Sequence, residues 1–322
     1  MMRGNAELPD LAMLQSAWTR IRPWIHRTPV LRSRTLDAIS GASLFFKAEH
    51  LQKTGAFKAR GACNAVMGLD ERGAGAGVVT HSSGNHGAAL AWAARLRGIE
   101  AQVVVPVNAN AAKRANILRY GARIVDCGPT LAAREAMLAE VAARSGAQVI
   151  PPYDDARVIA GQGSATLELL ATARDLDAVI APVGGGGLLA GTAIAARGLR
   201  ASLRVFGAEP AGADDACRSL AAGIRLPQTS PQTIADGLRA GLGELNFQLI
   251  RQHVEAVITV SDAQIIAAMR LFWEIAKQII EPSSATALAA VLAEPRLFSG
   301  MRVGLILSGG NVDLDQLPWQ AQ

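Results

Sequence analysis

Apolar and polar positions along this chain fall into two stretches of regular alternation. In the first, residues 77–80, 101–105, 123–125 and 147–150 are short runs that read as strands. Between them, residues 85–97, 111–120 and 130–144 have helical spacing, and Gly98 and Gly121 stand where a left-handed residue closes a helix. Near Pro151-Pro152 the chain leaves this unit. The alternation resumes with strands at residues 178–183, 204–208, 256–260 and 301–307, with helices filling the gaps. One of these is a long amphipathic helix after Ser261, an N-cap residue followed by Asp262 in the first turn.

The first third is less regular. Pro9-Asp10 opens a predicted helix running to about residue 25, with proline in its first turn. Residues 44–47 read as a strand, and a helix begins at Lys58 and ends near Leu69. The stretch Arg72-Gly73-Ala74-Gly75-Ala76-Gly77 reads as a glycine-rich joint and a candidate hinge. Strands alternating with helices predict an α/β fold with parallel-rich sheets covered on both faces. The expected division is a large unit, residues 1–75 and 153–322, and a small mobile one, residues 76–152.

Composition narrows the classes. A chain of 322 residues suffices for one large domain or two closely packed ones. With 50% hydrophobic and 18% charged residues it is a well-cored chain, not a disordered one. The net charge of +5 comes from scattered arginines without a basic run, which argues against a nucleic-acid partner and suits anionic small molecules. Cys63, Cys127 and Cys217 are far apart and odd in number, as expected in a reducing compartment without disulfides or zinc. Residues 178–196 are uncharged and long enough to span a membrane, but Pro182 and a four-glycine cluster make strand, loop and helix the better assignment. With no signal-like apolar start, the expected location is the cytoplasm, with no membrane partner.

Candidate chemistry clusters at predicted strand ends. Lysine is scarce: among 32 Lys+Arg residues only Lys47, Lys53, Lys58, Lys113 and Lys277 are lysines. Lys58 follows Gly55-Ala56-Phe57 at a helix start, where partial desolvation lowers an amine's pKa and frees it for a Schiff base. Val183-Gly184-Gly185-Gly186-Gly187-Leu188 joins a strand to a helix, and its backbone N–H groups suit a phosphate. Thr80-His81-Ser82-Ser83-Gly84-Asn85-His86-Gly87 also joins strand to helix and offers donors for a carboxylate. Its two histidines lack nearby acids and read as packing or capping groups. Glu209-Pro210-Ala211-Gly212-Ala213-Asp214-Asp215 supplies oxygen ligands of the kind that hold Mg²⁺, Mn²⁺ or Ca²⁺. A rival reading is a dinucleotide-binding oxidoreductase with Glu209 on a ribose, but the spacing is G-G-G-G, not G-x-G-x-x-G. A third is a catalytically silent binding protein.

With Leu307-Ser308-Gly309-Gly310-Asn311, these motifs resemble the pyridoxal-phosphate enzymes related to serine racemase and serine/threonine dehydratase, of the tryptophan-synthase-β-like fold type II. The resemblance runs from Arg27-Thr28-Pro29 to Asn311-Val312-Asp313-Leu314. It implies pyridoxal 5'-phosphate held by Phe57, Lys58, Asn85, Gly184, Gly185, Gly186, Gly187, Leu188 and Ser308. It implies Lys58 and Ser83 as acid/base groups on opposite faces, and substrate contacts from Ser82, Ser83, Asn85, His86, Arg134 and Gly237. It also implies a structural divalent cation on Glu209, the Ala213 carbonyl and Asp215, and a homodimer. The implied activity is dehydration (ammonia release) or racemisation of serine, threonine or a related β-hydroxy amino acid; 3-hydroxyaspartate and an ectoine-pathway amino acid are alternatives. Ala56, Ser284 and Ala240-Gly241 depart from the family pattern, which leaves the substrate open.

Overall fold

The computed structural model describes residues 8–320. Its strands are β1 Val30–Leu31, β2 Ser43–Ala48, β3 Val78–His81, β4 Ala101–Pro106, β5 Arg123–Cys127, β6 Gln148–Val149, β7 Ala178–Pro182, β8 Arg204–Pro210, β9 Ala256–Val260 and β10 Arg302–Leu307. Its helices are α1 Leu11–Ile21, α2 Arg34–Ser40, α3 Lys58–Met67, α4 Glu71–Gly75, α5 Asn85–Arg97, α6 Ala111–Arg119 and α7 Leu131–Ser145. The second half adds α8 Ala156–Thr172, α9 Gly187–Leu199, α10 Asp215–Ala222, α11 Glu244–His253, α12 Asp262–Ala276, α13 Pro282–Ala293 and α14 Pro295–Phe298.

Two sheets form. The larger has the order β1-β2-β10-β7-β8-β9 and the smaller β5-β4-β3-β6. Every pairing is parallel except β1 with β2. The central strands are buried almost end to end, as expected where helices cover both faces. One face of the larger sheet carries a core that includes Leu14, Ile159, Leu189 and Ile250 from α1, α8, α9 and α11. The other carries Met269 and Phe272 of α12 with Leu288 and Val291 of α13. Ala89, Leu90 and Ile117 of α5 and α6 cover one face of the smaller sheet, and Val141 of α7 covers the other.

Local signals explain the boundaries. Ser261 and Gln264 form a full capping box at the start of α12. Gly98 ends α5 at φ 72, a conformation open to glycine without a Cβ penalty. Three expectations are corrected. Pro9 lies before the N-cap Asp10, whose side chain accepts from the Met13 N–H, so it is outside α1 and not in its first turn. Helix α1 stops at Ile21, not residue 25, because Pro23 cannot donate the next helical hydrogen bond. The glycine-rich joint is partly helical, since Asp70 accepts from the Gly73 N–H at 2.7 Å and caps α4. Among the described residues no helix is long and apolar enough to cross a membrane. Cys63, Cys127 and Cys217 are unpaired.

Candidate active site

Parallel strands point their carboxyl ends to one edge of each sheet, where loops lead into helix N-termini. Past the end of β2 the chain makes two short 3₁₀ turns, Glu49–Leu51 and Lys53–Gly55. Ala56 then bridges Gly309, and the Phe57 N–H donates to the Ser308 carbonyl at 2.9 Å. This tie sets Lys58, first residue of α3, beside the turn that follows β10. Lys58 Nζ donates to the Pro152 carbonyl at 2.6 Å and lies 5.1 Å from the Phe57 ring and 6.0 Å from the Tyr153 ring. Burial lowers its pKa from 10.5 to about 8.

Two sets of backbone donors flank this amine. The first is the turn between β7 and α9, where Gly186 adopts φ 95. Among the described residues, none of the N–H groups of residues 184–188 donates to a protein acceptor. They sit at the positive end of a 13-residue helix, a combination that suits an anion. The second set opens α5, whose N-cap Gly84 offers no side chain; the N–H groups of Asn85, His86 and Gly87 likewise have no protein acceptor among the described residues.

The chain segment from Ile150 to Tyr153 joins the three parts. The Ile150 carbonyl lies 3.1 Å from His86 Nε2, Pro152 receives Lys58, and the Tyr153 ring stands against the glycine turn. A Cβ at Gly185 would fall 2.3 Å from that ring, and one at Gly184 would fall 2.8 Å from the Leu238 backbone. The glycine run therefore serves close packing as well as open N–H groups, whereas the sequence argument rested on the anion alone. His86 is buried, and burial followed by the charge of Lys58 pushes its pKa down to about 3, so it is a neutral group that donates to Ile150.

Ser82 and Ser83 are half-buried in the turn before α5, and Ser308 is buried beside the Lys58 segment. The Gly237 N–H donates to Ser283 Oγ at 3.0 Å. Arg134 stays apart in the first turn of α7, where its Nε reaches the Thr130 carbonyl at 3.4 Å. Its charge, after burial, helps lower the pKa of nearby His81. Sequence reasoning missed Tyr153 and Glu281. The Glu281-Pro282 pair at a helix start was the available signal for the latter, an acid just before a proline at N1.

Glu209 and Asp215 are both fully buried, and the Ala213 backbone lies between them in the chain. Glu209 accepts from the Ala216 and Cys217 N–H groups at 3.0 and 2.9 Å, and Asp215 from the Leu242 N–H at 2.7 Å. Burial still dominates: it pushes Glu209 up to about 8 and raises Asp215. Among the described residues no three His, Cys, Asp or Glu side chains cluster as a metal site, so any cation here rests on two carboxylates and backbone oxygen.

Comparison with known proteins bears on what this constellation is. Residues 21–309 match the family model described as pyridoxal-phosphate dependent enzyme. The chain belongs to this family. Among its relatives, the β-hydroxyaspartate dehydratase of Paracoccus denitrificans is 48% identical, with 97% of this chain and 99% of that protein covered. The serine racemase of Arabidopsis thaliana is 49% identical, with 98% of each covered. The crystal structure of serine racemase from Dictyostelium discoideum superposes with a TM-score of 0.92 at 48% identity, covering 96% of this chain and 100% of that one. The fold is thus that of the fold type II enzymes, and a phosphate-bearing aldehyde fits the lowered amine and the open N–H groups beside it.

Proposed function

We propose that this protein is a pyridoxal-phosphate-dependent dehydratase (ammonia-lyase) of β-hydroxy amino acids that also racemises substrate at the same site. The observation that carries the reading is the Lys58 amine, brought to about pKa 8 by burial and flanked by two helix starts whose N–H groups meet no acceptor among the described residues. Gly184 to Leu188 would hold the cofactor phosphate, Lys58 its aldehyde, and Phe57, Asn85 and Ser308 its ring. When bound, the cofactor supplies an electron sink that weakens the bond from Cα to hydrogen. Ser308 would face the ring nitrogen with a neutral hydroxyl, which keeps that sink modest and favours elimination.

The N–H groups of Asn85, His86 and Gly87, with Ser82 and Ser83, would bind the substrate carboxylate, with Arg134 at the rim and Gly237 lining the space beside the substrate. Lys58 would take the Cα proton on one face. The β-hydroxyl would leave as water with the proton that Lys58 returns to it, and the enamine released from the site would hydrolyse to a 2-oxo acid and ammonia. Ser83 would instead return a proton from the opposite face and invert the centre. Serine and 3-hydroxyaspartate are the leading substrates, from the relatives' activities, with threonine third.

Product assays on L-serine, L-threonine and the threo and erythro forms of 3-hydroxyaspartate test this. At least one is expected to give a 2-oxo acid and ammonia; cofactor uptake with no turnover on any would leave a silent binding protein. Ser83→Ala is expected to lower inversion by about 10²-fold or more while sparing 2-oxo acid release. Equal loss of both products would remove the two-face assignment.

The proposal extends to a divalent cation on Glu209, Asp215 and the Ala213 carbonyl. Two buried carboxylates with raised pKa values and, among the described residues, no ammonium or guanidinium bonded to either suit a hard cation. Saturating Mg²⁺, Mn²⁺ or Ca²⁺ is expected to raise the melting temperature, by about 2.7 kcal/mol of stability at a hundred times Kd. An unchanged melting curve with chelator and with each metal would dismiss the site. The reading also takes residues 76–152 as the mobile unit, a homodimer as the assembly and the cytoplasm as the location.

A further inference from the structure

Three segments distant in sequence converge on Asn85. Its Nδ2 donates to both Glu281 oxygens, at 2.9 and 3.2 Å, and its Oδ1 accepts from Asn311 Nδ2 at 2.9 Å. Glu281 also accepts the Asn311 backbone N–H at 3.1 Å, while Asn311 Nδ2 reaches the Thr54 carbonyl at 2.8 Å. Glu281 is buried, and a Cβ on Gly309 would lie 2.6 Å from its Oε1, so the turn after Ser308 is shaped around this carboxyl. Burial raises its pKa, against the pull of Asn85 and of Lys113.

The network fixes the hand of one amide. Turned over, Asn85 would set its carbonyl oxygen against a carboxylate and its NH₂ against the Asn311 NH₂, losing all three hydrogen bonds. As held, the Asn85 NH₂ faces the Glu281 carboxyl and meets no other acceptor among the described residues. Asn85 stands on the smaller sheet's side and Glu281 on the larger sheet's side, so this contact also crosses the junction between the two sheets.

We propose that Glu281 is a positioning residue that orients Asn85 so that an N–H, not the carbonyl oxygen, meets the phenolic oxygen of the cofactor. This rests on the reading that the cofactor is held at Lys58. Glu281→Gln keeps the shape but replaces one acceptor with a donor, which permits the flipped amide. In the holoenzyme this variant is expected to shift the long-wavelength absorption band towards the near-ultraviolet and to weaken cofactor uptake by the apoprotein about tenfold. Its apoprotein is expected to melt close to wild type. Asn311→Ala, which frees the other end of the amide, should move the band the same way by less, and it decides the matter if Glu281→Gln does not fold.

An unshifted band in the variant that folds overturns the proposal. So does weaker cofactor uptake that only tracks a lower melting temperature, which a merely structural role would give. A wild-type protein that takes up no cofactor overturns the broader reading with it, and that failure is told apart because it appears without any substitution.

Discussion

Lys58→Ala is expected to abolish the borohydride-sensitive visible band of the cofactor-loaded protein and to lower 2-oxo acid release by about 10⁴-fold or more. Both losses follow from one atom. Lys58 Nζ is the amine near the glycine turn, and the same amine is the base proposed for the Cα proton. An alanine there removes 5.1 Å cation–ring contact and the bond to Pro152, yet leaves the Ala56–Gly309 bridge that anchors the segment, so the fold should persist. A pH series on the wild-type apoprotein separates a tuned lysine from an ordinary one. With a pKa lowered from 10.5 to about 8, the free amine at pH 7 is about 300-fold more abundant than in a solvated lysine. Cofactor attachment should therefore accelerate up to about pH 8 and level off above it. A rate still climbing at pH 10, or a band that survives in Lys58→Ala, would refute the assignment.

Much of the frame was legible because its signals are local. Helix α5 runs over the residues expected, Asn85–Arg97, since a polar loop precedes it and Gly98 closes it. Strand β9 also matches its apolar run, Ala256–Val260. The glycine run was read correctly as a strand-to-helix turn, but its second role was not. Tyr153 and Leu238 press on it from segments about 30 and 50 residues away, and packing at that range leaves no local pattern. The Asn85–Glu281 contact spans 196 positions, so no window of sequence contains it. Lys47 was counted only as one of few lysines, although its side chain is buried in a charged network.

That network sets up the second large effect, since it holds the helix that carries Lys58. Arg60, fully buried two residues beyond Lys58, grips Glu49 in a two-pronged bond at 2.7 and 2.8 Å and Glu168 at 2.7 and 3.1 Å. Lys47 donates to Glu168 at 2.7 Å and to the Thr28 carbonyl at 2.6 Å, and the Thr28 hydroxyl donates to Glu49 at 2.5 Å. Two cations thus balance two carboxylates. Burial alone would raise the carboxyl of Glu49, but the Arg60 guanidinium beside it holds it below its usual value. Arg60→Met leaves two buried carboxylates facing one lysine, and is expected to cost about 3–5 kcal/mol in denaturant unfolding. Arg60→Lys should recover part of this, since an ammonium restores the charge but not the two-pronged geometry. Pairing Arg60→Met with Glu49→Gln should be milder than Arg60→Met alone, because the second change removes the carboxylate that the first left unmatched. If Arg60→Met cost under about 1 kcal/mol, water would be reaching these groups and the network would not be what fixes α3. If the pair were worse than the single change, the hydrogen bond that Glu49 accepts from the Thr28 hydroxyl, not its charge balance with Arg60, would be the stabilising feature.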